Sequence, residues 1–114
     1  MPIYNKLVRD KIPEIIESTG KRFSTRILSN DEYIKELRRK SFEELEEYMN
    51  ASDKDNALEE LADLLEIIHA LAITHDSSIS EVEAIRETKA QKRGGFQEKI
   101  FLIEVEDDEN WFNY

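Results

Sequence analysis

Residues 42–74 have the sequence FEELEEYMNASDKDNALEELADLLEIIHALAIT, in which two apolar patterns of helical period flank a polar segment. Upstream of them, Ser29 and Glu32 have the spacing of a capping box, a common signal for the start of a helix. We therefore predict one helix over about residues 31–50 and another over about residues 57–74, joined by a polar loop. So short a connection favours antiparallel packing of the two helices.

Two further helices are predicted outside this pair. The first covers about residues 10–19, with Asp10 as its cap. The last begins at Ser78, which forms a second capping box with Glu81, and it ends before the glycine pair at residues 94–95. The chain is therefore expected to carry four helices with short connections.

Two segments favour β-structure instead. Residues 22–28 (RFSTRIL) alternate polar and apolar side chains, and residues 99–105 (KIFLIEV) are also typical of a strand. Pairing of the two would give a small two-stranded sheet. The expected fold class is mainly α, a helical bundle completed by dimerisation, with this sheet beside it. One domain is predicted over residues 1–114, ending in an acidic and aromatic tail from about residue 106.

The composition excludes several classes of function. Lys and Arg number 16 and Asp and Glu number 26, so the formal net charge is −10, which argues against general nucleic-acid binding. The absence of cysteine excludes disulfides, thiolate zinc sites and cysteine nucleophiles. Residues 64–73 form the longest apolar stretch, which Glu66 and His69 interrupt and which is too short to cross a bilayer. The amino terminus has no apolar run typical of a signal peptide, so a cytoplasmic protein without a membrane partner is expected.

The helix predicted over residues 57–74 carries two carboxylates in an unusual position. At about 100° per residue, Ile67 and Leu71 share a stripe with Glu60 and Asp63. The opposite face is broad and apolar: Leu58, Leu61, Ala62, Leu65, Ile68 and Ala72. A helix that is apolar nearly all round is expected to be buried nearly all round. Glu60 and Asp63 would then lie beside a packed interior, where unpaired carboxylates are costly, so a cation or basic side chains should accompany them.

The preceding helix supplies a matching pair. Glu44 and Glu47 are three residues apart and are neighbours on one helix face, whereas Glu43 and Glu46 point away and are expected to be solvated. Antiparallel packing would bring the Glu44–Glu47 pair opposite Glu60 and Asp63. Four carboxylates so close together would raise each other's pKa values, and a hard dication would relieve the repulsion. All-oxygen ligation favours Mg²⁺, or Mn²⁺ in its place, over zinc or copper.

The same residues form a recognisable pair of motifs. Residues 43–47 match EExxE and residues 60–63 match ExxD, and they stand between the segments YNKLVRDKIPEII (4–16) and KAQKRGGF (89–96). From residue 4 to about residue 105 the chain resembles the MazG-like, all-α nucleoside triphosphate pyrophosphohydrolases. Within that superfamily it is most similar to the small, single-domain branch labelled phosphoribosyl-ATP pyrophosphohydrolase-like.

The resemblance implies a fold, a reaction and a set of site residues. The fold would be an all-α bundle completed by a homodimer, with homotetramers also known among relatives. The reaction would be Mg²⁺-dependent hydrolysis between the α- and β-phosphates of a nucleotide, giving a monophosphate and pyrophosphate. The metal ligands carried over by motif position would be Glu44, Glu47, Glu60 and Asp63, and Glu43 or one of these acids would help to position the attacking water.

The phosphates of the substrate also need cations from the protein. Lys89, Lys92 and Arg93 match the position where family members place phosphate-binding residues, although basic residues in the last turn of a helix also favour its macrodipole. The polar residues from Asn5 to Lys11 either reach a neighbouring site or cap and solvate the first helix. The residues do not distinguish phosphoribosyl-ATP from canonical, deoxy or modified nucleotides, the last being the targets of house-cleaning enzymes.

Two other interpretations remain. A non-catalytic helical module would use the same acids to bind metal or a basic partner, or to stabilise a dimer. A ferritin-like di-metal bundle would use Glu66 and His69, which have the Glu-x-x-His spacing of such sites. Those bundles need the motif on two helices, and this sequence contains it once.

Overall fold

The structure is a computed structural model that describes residues 2–106. All of the regular secondary structure in this range is helical, which confirms that the fold is mainly α. The helices, in chain order, are α1 (Ile12–Ser18), α2 (Asn30–Met49), α3 (Lys54–Thr74) and α4 (Ile79–Arg93).

The chain divides after Ser77 into two compact units. The first unit contains α1, α2 and α3, and the second contains α4 and the segment that follows it. Residues 107–114, which include most of the predicted acidic and aromatic tail, lie outside the described residues. A single domain over residues 1–114 stays a prediction.

The predicted two-stranded sheet is absent from the described residues. Residues 22–28 and 99–105 lack regular secondary structure, and their large apolar side chains, such as Ile27 and Phe101, are exposed. A pair of strands is marginal in water unless a helix or a third strand covers its apolar face. Alternating side chains were therefore an insufficient signal, because no described part of the chain covers most of the apolar side chains in these segments.

Capping side chains determine where three of the helices begin. Ser29 and Glu32 form the complete capping box that was predicted, with the Ser29 hydroxyl accepting from the Glu32 N–H and the Glu32 carboxylate accepting from the Ser29 N–H. Ser78 accepts from the Glu81 N–H in the same way. The helix α3 starts earlier than predicted because Asp53 Oδ1 accepts a 2.9 Å hydrogen bond from the Asn56 N–H.

Two further predictions concerned the cap of α1 and the end of α4, and only the second is confirmed. Asp10 does not cap α1, which has Lys11 at its N-cap position without a side-chain hydrogen bond. Gly94 ends α4 as predicted, with a φ of +83° that residues carrying a Cβ rarely adopt.

The helices α2 and α3 pack against each other as an antiparallel hairpin. Leu37 of α2 is 4% exposed, and Ile67 and Ala72 of α3 are each 6% exposed. Ile67 belongs to the stripe that contains Glu60 and Asp63, and Glu60 meets Glu44 and Glu47 of α2, so this stripe faces α2 around the acidic residues. The packing of the hairpin therefore places the acidic residues at the contact between the helices.

The first half of the broad apolar face of α3 is left uncovered, whereas Ile68 is half-buried and Ala72 is buried at its far end. Leu61 is 43% exposed and Leu65 is 51% exposed, so the prediction that α3 is buried nearly all round is wrong for the described chain. On α2, Phe42 and Leu45 are also exposed. Leu45 and Leu61 each follow one of the facing residues, Glu44 and Glu60, and so lie about 100° further round their helices. In an antiparallel pair of right-handed helices, this rotation brings both leucines to the same side of the hairpin. One side of the hairpin therefore carries apolar residues from both helices.

Candidate metal centre

Three carboxylates from the two helices converge at their contact. Glu44 and Glu47 of α2 and Glu60 of α3 each place one carboxylate oxygen within 4.8 Å of the others. The i, i+3 spacing puts Glu44 and Glu47 on one face of α2, and the tight turn at residues 50–53 brings the first turns of α3 opposite them. We refer to Glu44, Glu47 and Glu60 as the carboxylate cluster.

Glu44 is the buried member of the cluster. The residue is 7% exposed, and burial raises the pKa of its carboxyl group, with further upward contributions from the charges of Glu47 and Asp63. Lys40, one helical turn earlier, brings its Nζ to 3.8 Å from Glu44 Oε1. The other oxygen, Glu44 Oε2, is buried and receives no hydrogen bond from any described residue.

Glu60 faces Glu44 with a second buried oxygen that lacks a donor. No N–H or O–H group of the described chain donates to Glu60 Oε2. The protonated carboxyl group of Glu60 can donate a hydrogen bond to Glu47 or Glu44, and this raises the pKa of Glu60 to about 7. Ionised carboxylates in this arrangement repel one another, and either a bound proton or a bound cation relieves the repulsion. The donor set is entirely carboxylate oxygen, which fits Mg²⁺ or Mn²⁺.

Asp63, the fourth predicted ligand, has a different partner. Its Oδ1 accepts a 2.7 Å hydrogen bond from Arg9 Nη2 in an ion pair that joins the amino-terminal segment to α3. Among the described residues, the metal-ligand geometry includes Glu44, Glu47 and Glu60 and does not include Asp63. Asp63 still lies near enough for its charge to raise the pKa of Glu44.

An open pocket of about 540 Å³ gives access to the cluster. Glu47 and Glu60 line it together with Lys6, and the turn between the helices contributes several small polar residues. Glu43 and Glu46 are exposed, as predicted, and both line the same pocket. We call this space the acidic pocket; its complete lining is Lys6, Glu43, Glu46, Glu47, Asn50, Ala51, Ser52, Asn56 and Glu60.

Two of the basic residues around the cluster, Lys6 and Arg9, belong to the segment for which the sequence left open a role at a neighbouring site, whereas Lys40 was missed. The Lys40–Glu44 contact has the i, i+4 spacing of a common helix pair and was available as a signal. The Arg9–Asp63 pair joins residues 54 positions apart, and no local pattern indicates such a contact. Lys6 lies in the segment whose role the residues left open.

Other predicted residues lie outside this cluster. Lys89, Lys92 and Arg93 are exposed in the last turns of α4, within the second compact unit, and phosphate binding by them stays a prediction. Glu66 is exposed and His69 is half-buried. Within residues 2–106, neither belongs to a group of three candidate ligands, so the ferritin-like interpretation gains no support.

Comparisons with known proteins leave the family open. One relative is an uncharacterized protein of Mycolicibacterium smegmatis, which is 46% identical over 54 residues. The match spans 47% of this chain and 55% of the relative, so the chain covers about half of that protein's length. No family model matches the chain, and no solved structure matches it. Membership of the MazG-like superfamily therefore stays a prediction.

No helix within residues 2–106 combines the length and the apolar character needed to cross a membrane. The longest, α3, contains acidic residues throughout its first half.

Proposed function

We propose that this protein is a Mg²⁺-dependent nucleotide pyrophosphohydrolase, which cleaves between the α- and β-phosphates and releases a monophosphate and pyrophosphate. The observation that carries the proposal is the convergence of Glu44, Glu47 and Glu60, with two buried oxygens that no described group donates to. A buried, unpaired charged oxygen is costly, and a bound cation would relieve that cost when these carboxyl groups are ionised.

The roles of the residues follow from their positions. Glu44, Glu47 and Glu60 would hold Mg²⁺, or Mn²⁺ in its place. When bound, the metal would neutralise negative charge on the phosphate groups and would lower the pKa of a bound water molecule. Glu43 lines the acidic pocket without belonging to the cluster, and in this proposal it would help to orient the attacking water. Asp63, which is ion-paired with Arg9, would add negative charge near the metal.

The motifs at residues 43–47 and 60–63 support the assignment to nucleotides. Their resemblance to the MazG-like pyrophosphohydrolases suggested the reaction, and the structure independently brings the EExxE and ExxD segments together. Phosphoryl transfer depends mainly on positioning and on charge stabilisation, which a carboxylate-bound metal in an open pocket can provide. The base and the sugar of the substrate are not specified by this argument.

A pyrophosphate-release assay tests the proposal. Purified protein with Mg²⁺ should release pyrophosphate from at least one nucleotide in a panel of canonical, deoxy and modified triphosphates and phosphoribosyl-ATP. We expect Glu60→Gln to lower the rate at least about a hundredfold, because it removes one ligand from a three-carboxylate site. The matched control is Glu59→Gln, which removes the same charge from an exposed neighbour outside the cluster.

Two results would count against the enzyme assignment. Equal turnover by Glu60→Gln and wild type would show that the cluster is not the active centre. Mg²⁺ binding without release of pyrophosphate from any member of the panel would favour the non-catalytic metal-binding module instead.

The uncovered apolar side of the hairpin supports a homodimer. In residues 2–106, the buried apolar residues are Leu37, Ile67 and Ala72, a small core for a chain of this length. Exposed contiguous apolar surface on a folded protein commonly marks an interaction site. A second hairpin placed on Leu45, Leu61 and their neighbours would give the four-helix arrangement expected from the sequence.

A further inference from the structure

A second pocket adjoins the acidic pocket and has the opposite charge. It encloses about 240 Å³ and is lined mainly by the amino-terminal segment and the middle of α2. Lys6 and Glu43 line both pockets, so the two spaces meet at these residues. We call it the basic pocket because it has three basic residues and two acidic ones; its lining is Tyr4, Asn5, Lys6, Leu7, Glu36, Arg39, Lys40 and Glu43.

The cations of the basic pocket differ in their partners. Arg39 Nη1 lies 3.6 Å from a Glu36 oxygen, and Lys40 Nζ lies 3.8 Å from a Glu44 oxygen. The Lys6 ammonium has no ion pair within the described chain and lies over the Tyr4 ring, with its Nζ 5.7 Å from the ring centroid. Lys6 is therefore the cation at this junction that can engage a ligand without giving up a carboxylate.

A nucleotide substrate needs such a cation. The acidic pocket is lined by four carboxylates, Glu43, Glu46, Glu47 and Glu60, and the chain carries a formal charge of −10. A polyphosphate approaching these groups is repelled unless positive charge compensates on both sides of the scissile bond. A metal in the carboxylate cluster would neutralise one part of the polyphosphate, and the remaining phosphate needs a second cation.

We propose that Lys6 is a phosphate-binding residue, and that a polyphosphate spans the two pockets with one phosphate group at the carboxylate cluster and the next at the Lys6 ammonium. This inference rests on the proposed function, because it assigns the cluster to a metal that binds the substrate. The inference gives the amino-terminal segment a role in the site. The ion pair between Arg9 and Asp63 holds this segment against α3.

Calorimetric titration with inorganic pyrophosphate tests the inference. Wild type, Lys6→Ala and Lys35→Ala are each titrated first with Mg²⁺ alone, and then with pyrophosphate in the presence of Mg²⁺. Lys35 is the matched control because it is an exposed lysine of α2 that lines neither pocket. We expect Lys6→Ala to bind pyrophosphate about tenfold or more weakly, the usual effect of losing a hydrogen bond to a charged group. Lys35→Ala should bind as wild type does.

The same titrations separate failure of the inference from failure of the proposed function. Unchanged Mg²⁺ affinity with weakened pyrophosphate binding in Lys6→Ala supports the inference. Equal pyrophosphate affinity in Lys6→Ala and wild type overturns it and leaves the metal site intact. Wild type that binds Mg²⁺ but no pyrophosphate also overturns it. Wild type that binds no Mg²⁺ overturns the proposed function and this inference together.

Discussion

Glu60 is the residue whose acid–base chemistry changes most when the α2–α3 hairpin packs. On an isolated helix it would be an ordinary acidic residue, but the packing of α2 places Glu44 and Glu47 against it. Its pKa is raised to about 7 by hydrogen bonding to Glu47 and Glu44, compared with an ordinary value of 4.5. The folded, metal-free protein therefore holds a proton at pH values where the unfolded chain has lost it.

This difference predicts a pH dependence of stability without metal. Between about pH 4.5 and about pH 7 the folded state binds more protons than the unfolded state, so the free energy of unfolding should fall as the pH rises. Urea denaturation in EDTA across this range measures the effect. Glu60→Gln should reduce the slope, while Glu44, whose pKa burial also raises, keeps part of it.

The matched control for that experiment is again Glu59→Gln, which should keep the slope of wild type. A slope in Glu60→Gln equal to that of wild type would show that the cluster does not share a proton as described. Excess Mg²⁺ should stabilise the folded state more at high pH than at low pH, because the metal competes with that proton.

At the scale of the helix, the start of α3 is what brings Glu60 to the site. Asp53 caps the helix through Asn56, and the turn at residues 50–53 lines the acidic pocket. Ser29 caps α2 in the same way, but at the end of that helix remote from Glu44. The Asp53 cap is therefore much closer to the carboxylate cluster along its helix than the Ser29 cap is.

Removing each cap should separate stability from metal binding. Asp53→Ala and Ser29→Ala should each lower the free energy of unfolding by about 0.5–2 kcal/mol, the usual effect of losing a capping side chain. Only Asp53→Ala should also weaken Mg²⁺ binding, because it loosens the first turns of α3. Chemical denaturation and metal titration of both variants measure the two effects. Equal loss of Mg²⁺ affinity in both would mean that the site responds to overall stability and not to the turn.

At the scale of the molecule, the hairpin presents two unlike sides. One side carries the acidic pocket, and the other carries exposed apolar residues from both helices, including Leu45 and Leu61. Burying large apolar side chains stabilises a protein by about 1.5–3 kcal/mol for each one, so covering this side would contribute substantially to stability. The dimer proposed above would provide that cover and would leave the acidic pocket accessible.

The expected solution state is a dimer, or a tetramer built from dimers. Light scattering during size-exclusion chromatography should give twice or four times the monomer mass of 13.4 kDa. Leu61→Glu should shift the protein to monomer and lower its melting temperature, because a charge would be placed in the interface. Ile3→Glu is the control, since Ile3 is also exposed but lies outside the hairpin. A wild-type monomer that unfolds cooperatively would contradict the proposed interface.

Local signals in the sequence determined the helices and their ends. The capping boxes at Ser29 and Ser78 and the glycine at position 94 act on backbone groups within a few residues, so their effects are visible in the sequence itself. The i, i+3 spacing of Glu44 and Glu47 likewise fixed their shared helix face. Even here Asp53 was missed as the cap of α3, because it was assigned to the loop as a whole.

Only the tertiary structure decided which stripe of α3 faces α2 and which partners the acids find. Two stripes of α3 were apolar enough to be buried, and the one that includes Ile67 and Glu60 packs on α2 while Leu61 stays exposed. The same packing joined Arg9 to Asp63 and made Lys6 part of the pocket that Glu47 and Glu60 line. These contacts link residues far apart in the chain, and their energies depend on distances that exist only after the helices have packed.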